Sequence, residues 1–196
     1  MSLLAQLMNA FQILPGVGPK SAQRICFNLL QKNKDNALKL ADILKQACEN
    51  IGECKRCRTL TEHDLCRICS SGKRFVEQLC IVETPADLMQ IEQATDFIGT
   101  YFVLHGHLSP LDGIGPNELG FPQLIDILAK EPIKEVIIAT SSTLEGQTTA
   151  QYIAQMCTKV EIKATTLARG VPLGGELEYI DANTIAHAFG SREEIQ

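Results

Sequence analysis

Four cysteines constrain this 196-residue chain more than any other feature: Cys54-x2-Cys57, eight residues, then Cys66-x2-Cys69. Each C-x2-C wraps two sulfurs onto one ion, and four thiolates satisfy tetrahedral zinc. Segment 54–75 holds too few large apolar residues to make a core unaided, so a metal cross-link is the expected substitute. Four protein ligands leave no open position for water or substrate, which makes the expected zinc structural. A redox pair or disulfides is the competing reading. No secretion signal accompanies the eight cysteines, which favours reduced thiols or metal and a cytoplasmic protein. Lys55, Arg56, Arg58 and Arg67 flank the ligands and offset the charge of a four-thiolate centre. His63 reads as a loop residue, because four cysteines already fill the site. Cys26, Cys48, Cys80 and Cys157 lack ligand spacing and read as core residues.

On either side of the cluster the chain changes character. Residues 1–50 read as all-helical, with a helix to about Phe11, a turn at LPGVGP, and helices over about 19–31 and 35–50. From Leu79 the pattern alternates: LCIVE, a helix opening at Thr84-Pro85, YFVLH (101–105), a helix near 121–130, EVIIAT (135–140), a helix near 147–157, and VEIKATTLA (160–168). Such alternation predicts a parallel sheet with crossover helices, an α/β fold. The stretches 106–120 and 170–175 read as loops, and no run approaches the ~20 apolar residues of a membrane span.

The net charge of -5 conceals an asymmetry. Residues 1–80 hold 12 Lys+Arg against 7 Asp+Glu, a balance of +5, whereas residues 81–196 hold 6 against 16, a balance of -10. Within the basic part, Leu14-Pro15-Gly16-Val17-Gly18-Pro19-Lys20-Ser21-Ala22 reads as a tight turn running into a helix. Ala22, Ile25, Cys26 and Leu29 form its apolar stripe, while Lys20 and Arg24 share another face. Free N–H groups at the helix start favour an anion, so this is the outline of a helix-hairpin-helix, which grips nucleic-acid backbone without reading sequence. An ordinary helical corner packed in a core is the alternative.

In the acidic part, Glu83 ends the first strand, and Ser141-Ser142-Thr143-Leu144-Glu145-Gly146 follows the strand EVIIAT. Ligands bind at the carboxyl ends of parallel strands, so Glu83 and Glu145 are expected near one crevice. Acids favoured by helix dipoles are the plainer reading. The arrangement resembles a Toprim domain, whose enzymes carry a glutamate after the first strand and a D-x-D before an E-G pair. Ser141 and Thr143 stand at the aspartate positions. Two carboxylates with neutral hydroxyls are a poor magnesium cage. A Mg²⁺-dependent nuclease, primase or topoisomerase using Glu83 and Glu145 is therefore the secondary functional reading.

LPGVGPKSAQR, the four cysteines, IVETP, VLHGHLSPLDGIGP, EVIIATSSTLEGQTTA and LARGVPLGGELEY occur in an order that resembles the RecR family of bacterial recombination mediators, over nearly the full chain. The resemblance implies a helix-hairpin-helix region (1–53), a four-cysteine zinc finger with one structural Zn²⁺ per subunit (54–76), a Toprim domain (77–172) and a C-terminal segment (173–196). It further implies a homotetrameric ring that encircles DNA, works with RecO or RecF, and helps load RecA onto strands coated by single-strand-binding protein. Lys20 and Arg24 fall on its DNA-contacting positions, Cys54, Cys57, Cys66 and Cys69 on the zinc ligands. Glu83 and Glu145 fall on retained Toprim acids that engage a partner or organise DNA binding. The family usually has Asn-Pro-Thr where Ser141-Ser142-Thr143 stands, so no catalysis is expected. Arg169–Gly175 matches a C-terminal family loop, and His105 and His107 are expected to serve as hydrogen-bonding groups at a strand end.

Overall fold

A computed structural model describes residues 1–168 and 170–191. The chain divides after Gly52 into two compact units. Arg169 lies outside the described residues.

The first unit is three helices: α1 (Leu3–Phe11), α2 (Pro19–Lys32) and α3 (Lys34–Asn50). Ser2 caps α1 by accepting from the Ala5 N–H at 3.3 Å. The chain reverses between α1 and α2 through Gly16, whose φ of 75° is a left-handed conformation open to glycine. α1 packs on α2 and α2 on α3, and the inward stripe of α2 buries Ala22 and Cys26 completely. Cys48 departs from expectation, for it is exposed on α3. A unit of about 50 residues makes too little interior to enclose every apolar position on three helices.

At the division lie two short paired strands, β1 (Gly52–Glu53) and β2 (Leu60–Thr61), the second beside the cysteine loops. The remaining strands and α-helices among the described residues are β3 (Gln78–Val82), α4 (Pro85–Ala94), β4 (Thr100–Val103), α5 (Phe121–Lys130), β5 (Glu135–Ala139), α6 (Leu144–Lys159), β6 (Lys163–Thr166) and α7 (Ala182–Gly190), with one 3-10 turn at Leu177–Tyr179. The expected parallel sheet is present, with order β4-β3-β5-β6. Ile81 stands opposite Phe102 on one neighbour and Ile138 on the other.

Side chains alternate across a strand, so β3 serves two cores. Leu79 and Ile81 face a layer built with Phe102, Leu124, Ile153 and Cys157, the helices α5 and α6 supplying its outer wall. Phe121 and Tyr152 stack there at 5.1 Å between ring centres. Cys80 and Val82 face the other way, with Tyr101, Val103 and Leu88 of α4. That second layer is completed by Cys54, Cys57, Cys66 and Ile68. The cysteine module, too poor in apolar residues to enclose a core, thus shares one with the sheet.

Local chemistry sets the helix starts. Thr84 and Asp87 form a reciprocal capping box at α4, with Thr84 Oγ1 accepting from Asp87 N–H (3.2 Å) and Asp87 accepting from Thr84 N–H (2.9 Å). α6 begins at Leu144, three residues before the expected start, because Thr143 Oγ1 caps the Gly146 N–H at 3.1 Å. β6 is correspondingly shorter than the expected 160–168: α6 runs to Lys159, and the chain turns at Glu161 with φ of 58°.

Candidate functional site

Three sets of residues carry chemistry. In the first, the Sγ atoms of Cys54, Cys57, Cys66 and Cys69 all lie within 4.8 Å of one another, and the first three cysteines are buried. Backbone N–H groups already point at the sulfurs, from Cys66 to Cys54 (3.3 Å) and from Cys69 to Cys66 (3.5 Å). Donors aimed at sulfur stabilise thiolate, the form a metal requires. The Cys69 thiol is drawn down to about 5 by the hydrogen bond from Cys57 and by the Arg56 guanidinium. Four convergent, soft, mostly buried donors fit zinc, and they would hold it with no position left for substrate. Bound there, zinc supplies a cross-link among four points of a loop-rich segment. His63 sits in the loop after β2 and is not among the clustered donors, as expected.

The basic neighbours of the ligands have structural tasks that charge alone does not reveal. Arg56 reaches Cys69 Sγ at 3.8 Å, Thr100 Oγ1 at 3.2 Å and, through two nitrogens, the carboxylate of Glu131 at the end of α5. Arg58 donates to the carbonyls of Leu104, Leu119 and Glu118 and lies over the Phe102 ring. A Cβ at position 120 would collide with that guanidinium, so Gly120, at φ of 73°, leaves the space it occupies. Arg58 and His105 both adopt left-handed backbone, φ 64° and 62°, and His105 Nε2 donates to the Arg58 carbonyl at 2.7 Å. Just beyond the cysteines, Arg74 grips Glu92 of α4 through two bonds of 2.6 and 2.7 Å. Lys55, by contrast, makes an exposed pair with Asp64. Sequence reading missed Arg74, Glu92 and Glu131 as partners, since no local spacing signals a pair 18 or 75 residues apart.

The second set is the hairpin between α1 and α2. Gly18 caps α2 without a side-chain hydrogen bond, leaving the first N–H groups of the helix open. Lys20 and Arg24 are exposed, and among the described residues neither has an ion-pair partner. A helix start with open donors and two unpaired cations one turn apart is suited to phosphate oxygens.

The third set lies at the carboxyl ends of β3 and β5. Glu83 is largely buried and accepts from the Ser141 N–H at 2.9 Å. Gly146 approaches so closely that a Cβ there would meet Ser141 and stand 3.0 Å from Glu83. His107 Nδ1 lies 3.9 Å from the same carboxylate. Ser141 and Thr143 join their hydroxyls at 2.7 Å. Glu145 occupies the first turn of α6, exposed and, among the described residues, without a side-chain partner. The structure therefore ties Glu83 to the Ser141 backbone, while Glu145, among the described residues, has no side-chain hydrogen bond or ion pair.

Comparison with known proteins agrees with this construction. A RecR helix-hairpin-helix model matches residues 4–48, and a RecR model of a zinc finger domain with four cysteines matches 51–71. A Toprim domain model matches 77–168, and a RecR C-terminal model matches 170–193. Recombination protein RecR from Xanthomonas oryzae pv. oryzae, strain MAFF 311018, is 51% identical over 194 residues, 99% of this chain and 98% of the relative. The protein of that name from strain KACC10331 / KXO85 matches equally well. The four matches follow one another along nearly the whole chain, and with a relative 51% identical over its length the chain belongs to the RecR family of recombination proteins.

Proposed function

We propose that the protein is a DNA-holding recombination mediator without turnover of its own. Copies assemble as a homotetrameric ring in the cytoplasm, each with one structural zinc, and the ring holds DNA without reading its sequence. With RecO or RecF it promotes loading of RecA onto strands covered by single-strand-binding protein. The carrying observation is the unpaired Lys20–Arg24 step at an open helix start. The apolar surface left by the first unit, with Ile13 and Ile43 at 82% and 63% exposure, supports assembly of copies.

Two features favour holding over cutting. Ser141 and Thr143 spend their hydroxyls on each other and on the α6 cap, so the strand ends offer one largely buried carboxylate and an exposed one. A magnesium ion for phosphoryl transfer draws on more oxygens than that. Glu83 and Glu145 then serve as partner- or DNA-organising acids, where basic surfaces of a partner find complementary charge.

Replacement of Lys20 and Arg24 together by Ala is expected to weaken DNA binding and flatten its salt dependence by about 2 in log–log slope per engaged subunit. Folding and zinc content stay unchanged. Wild-type affinity in the double variant at moderate salt would overturn the hairpin as the DNA-holding element.

A further inference from the structure

The outer face of α2 carries more than its two cations. Phe27 follows Lys20 by seven residues and Arg24 by three, positions that share one face of a helix. The buried Ala22 and Cys26 occupy the opposite side. Phe27 is 40% exposed, with no ring or cation partner among the described residues. The helix has no acidic residue anywhere in PKSAQRICFNLLQK, while Lys20, Arg24 and Lys32 are basic. An aromatic ring set among unpaired cations, on a helix without carboxylates of its own, has the composition of a stacking platform beside a phosphate track.

We propose that Phe27 stacks against an unpaired base and gives the hairpin a preference for single-stranded DNA. This inference rests on the hairpin's assignment as the DNA-holding element and adds to it the kind of strand held. Lys20 and Arg24 neutralise phosphates of any DNA, single or double. The ring of Phe27 discriminates, because only an unpaired strand presents a free base face within reach of a side chain at the phosphate track. Duplex bases are already stacked on each other, and opening them costs energy that a single half-exposed ring does not repay.

The chain has no Trp, so Phe27→Trp places the only indole at the proposed platform. In the full-length protein, oligo(dT) is expected to quench its emission, and a duplex of equal length is expected to leave it nearly unchanged. Phe27→Leu, which keeps an apolar side chain but no ring, should weaken oligo(dT) binding at least about fivefold. Its duplex affinity and salt slope should match wild type. Equal losses on single strand and duplex would overturn the proposal, making Phe27 a support of the hairpin's shape. A blue-shifted emission that oligo(dT) does not alter would also overturn it, placing the residue between copies of the chain. The Lys20/Arg24 double variant separates this result from the parent reading. If that variant keeps wild-type binding, the parent reading falls and the stacking with it. If it loses binding while Phe27→Leu changes neither single-strand nor duplex affinity, the parent reading stands and the stacking assignment alone falls.

Discussion

The two units of the protein use apolar residues in opposite ways. From Glu53 onward, two layers of buried side chains fill both faces of a parallel sheet, and even the cysteine module contributes to one of them. Before that point only Ala22 and Cys26 are buried, while Leu38, Ile43 and Leu44 stand on α3 at 61%, 63% and 60% exposure. Size accounts for part of the contrast, since a chain of about 50 residues cannot enclose much interior. The proposed function accounts for the rest. The larger unit closes a two-layered core within one chain, although Leu177, Tyr179 and Phe189 near its C-terminal end stay 62%, 79% and 70% exposed. The helical unit encloses almost nothing, and on the proposed function its surface serves DNA and other copies.

The sharpest way to break the contrast is to remove the cross-link that helps complete the larger unit. Cys57→Ser, or exhaustive chelation, withdraws zinc and one wall of the second layer. A loss of about 4 kcal/mol or more is expected, enough to lower the melting midpoint of this unit by ~10 °C. Calorimetry alongside zinc analysis checks this, and a midpoint unchanged after complete metal loss would show that the cysteine walls suffice alone.

A smaller effect is expected at Arg74 and Glu92, whose side chains are 18% and 15% exposed. The hydrogen bond from Arg74 holds the Glu92 carboxyl below its ordinary range, against the opposing effect of burial. The Tyr101 hydroxyl is buried nearby without a standard hydrogen bond, and burial followed by the neighbouring Glu92 raises its pKa. Because the folded carboxyl titrates lower than the unfolded one, its stabilisation is complete above about pH 4.3 and is lost as pH falls through the lower, folded value. Glu92→Gln should cost about 2–3 kcal/mol at pH 7, below the figure for a fully buried pair. Its penalty should shrink towards pH 3, and urea titrations at the two values test the sign.

The smallest stability change is expected in the helical unit. Leu44→Ser on the exposed face of α3 should alter the chain's own stability by no more than about 0.5 kcal/mol. Its signature is instead in solution mass, which should fall if that face joins copies. A large loss of stability with unchanged mass would erase the distinction between the units.

Local chemistry is what the sequence makes legible. The C-x2-C pairs, the Thr84-Pro85 start and the alternation from Leu79 carry their consequences within a few residues, and the fold class follows from them. The start of α6 escapes such reading because Leu144-Glu145-Gly146 resembles loop, although Thr143 supplies the cap. Cys48 escapes it because helical spacing says which residues share a face without saying whether anything covers it. Glu83 can be placed at a strand end, but its bond to the Ser141 backbone depends on how two crossovers bring β3 and β5 together. Arg56 is expected from its position to balance thiolate charge. Its grip on Glu131 and Thr100 requires the sheet, and so does the pairing of Arg74 with Glu92.

One contact of the cysteine module bears on solution behaviour. β4 lies at one end of the sheet order, and the Val103 N–H donates to the Cys57 carbonyl at 2.9 Å while Arg56 holds Thr100. An uncovered outer strand presents unpaired donors and acceptors to any passing chain. The module thus acts as a guard against strand-to-strand polymerisation. Metal depletion should show first as light scattering that grows with protein concentration, ahead of any loss of helical signal.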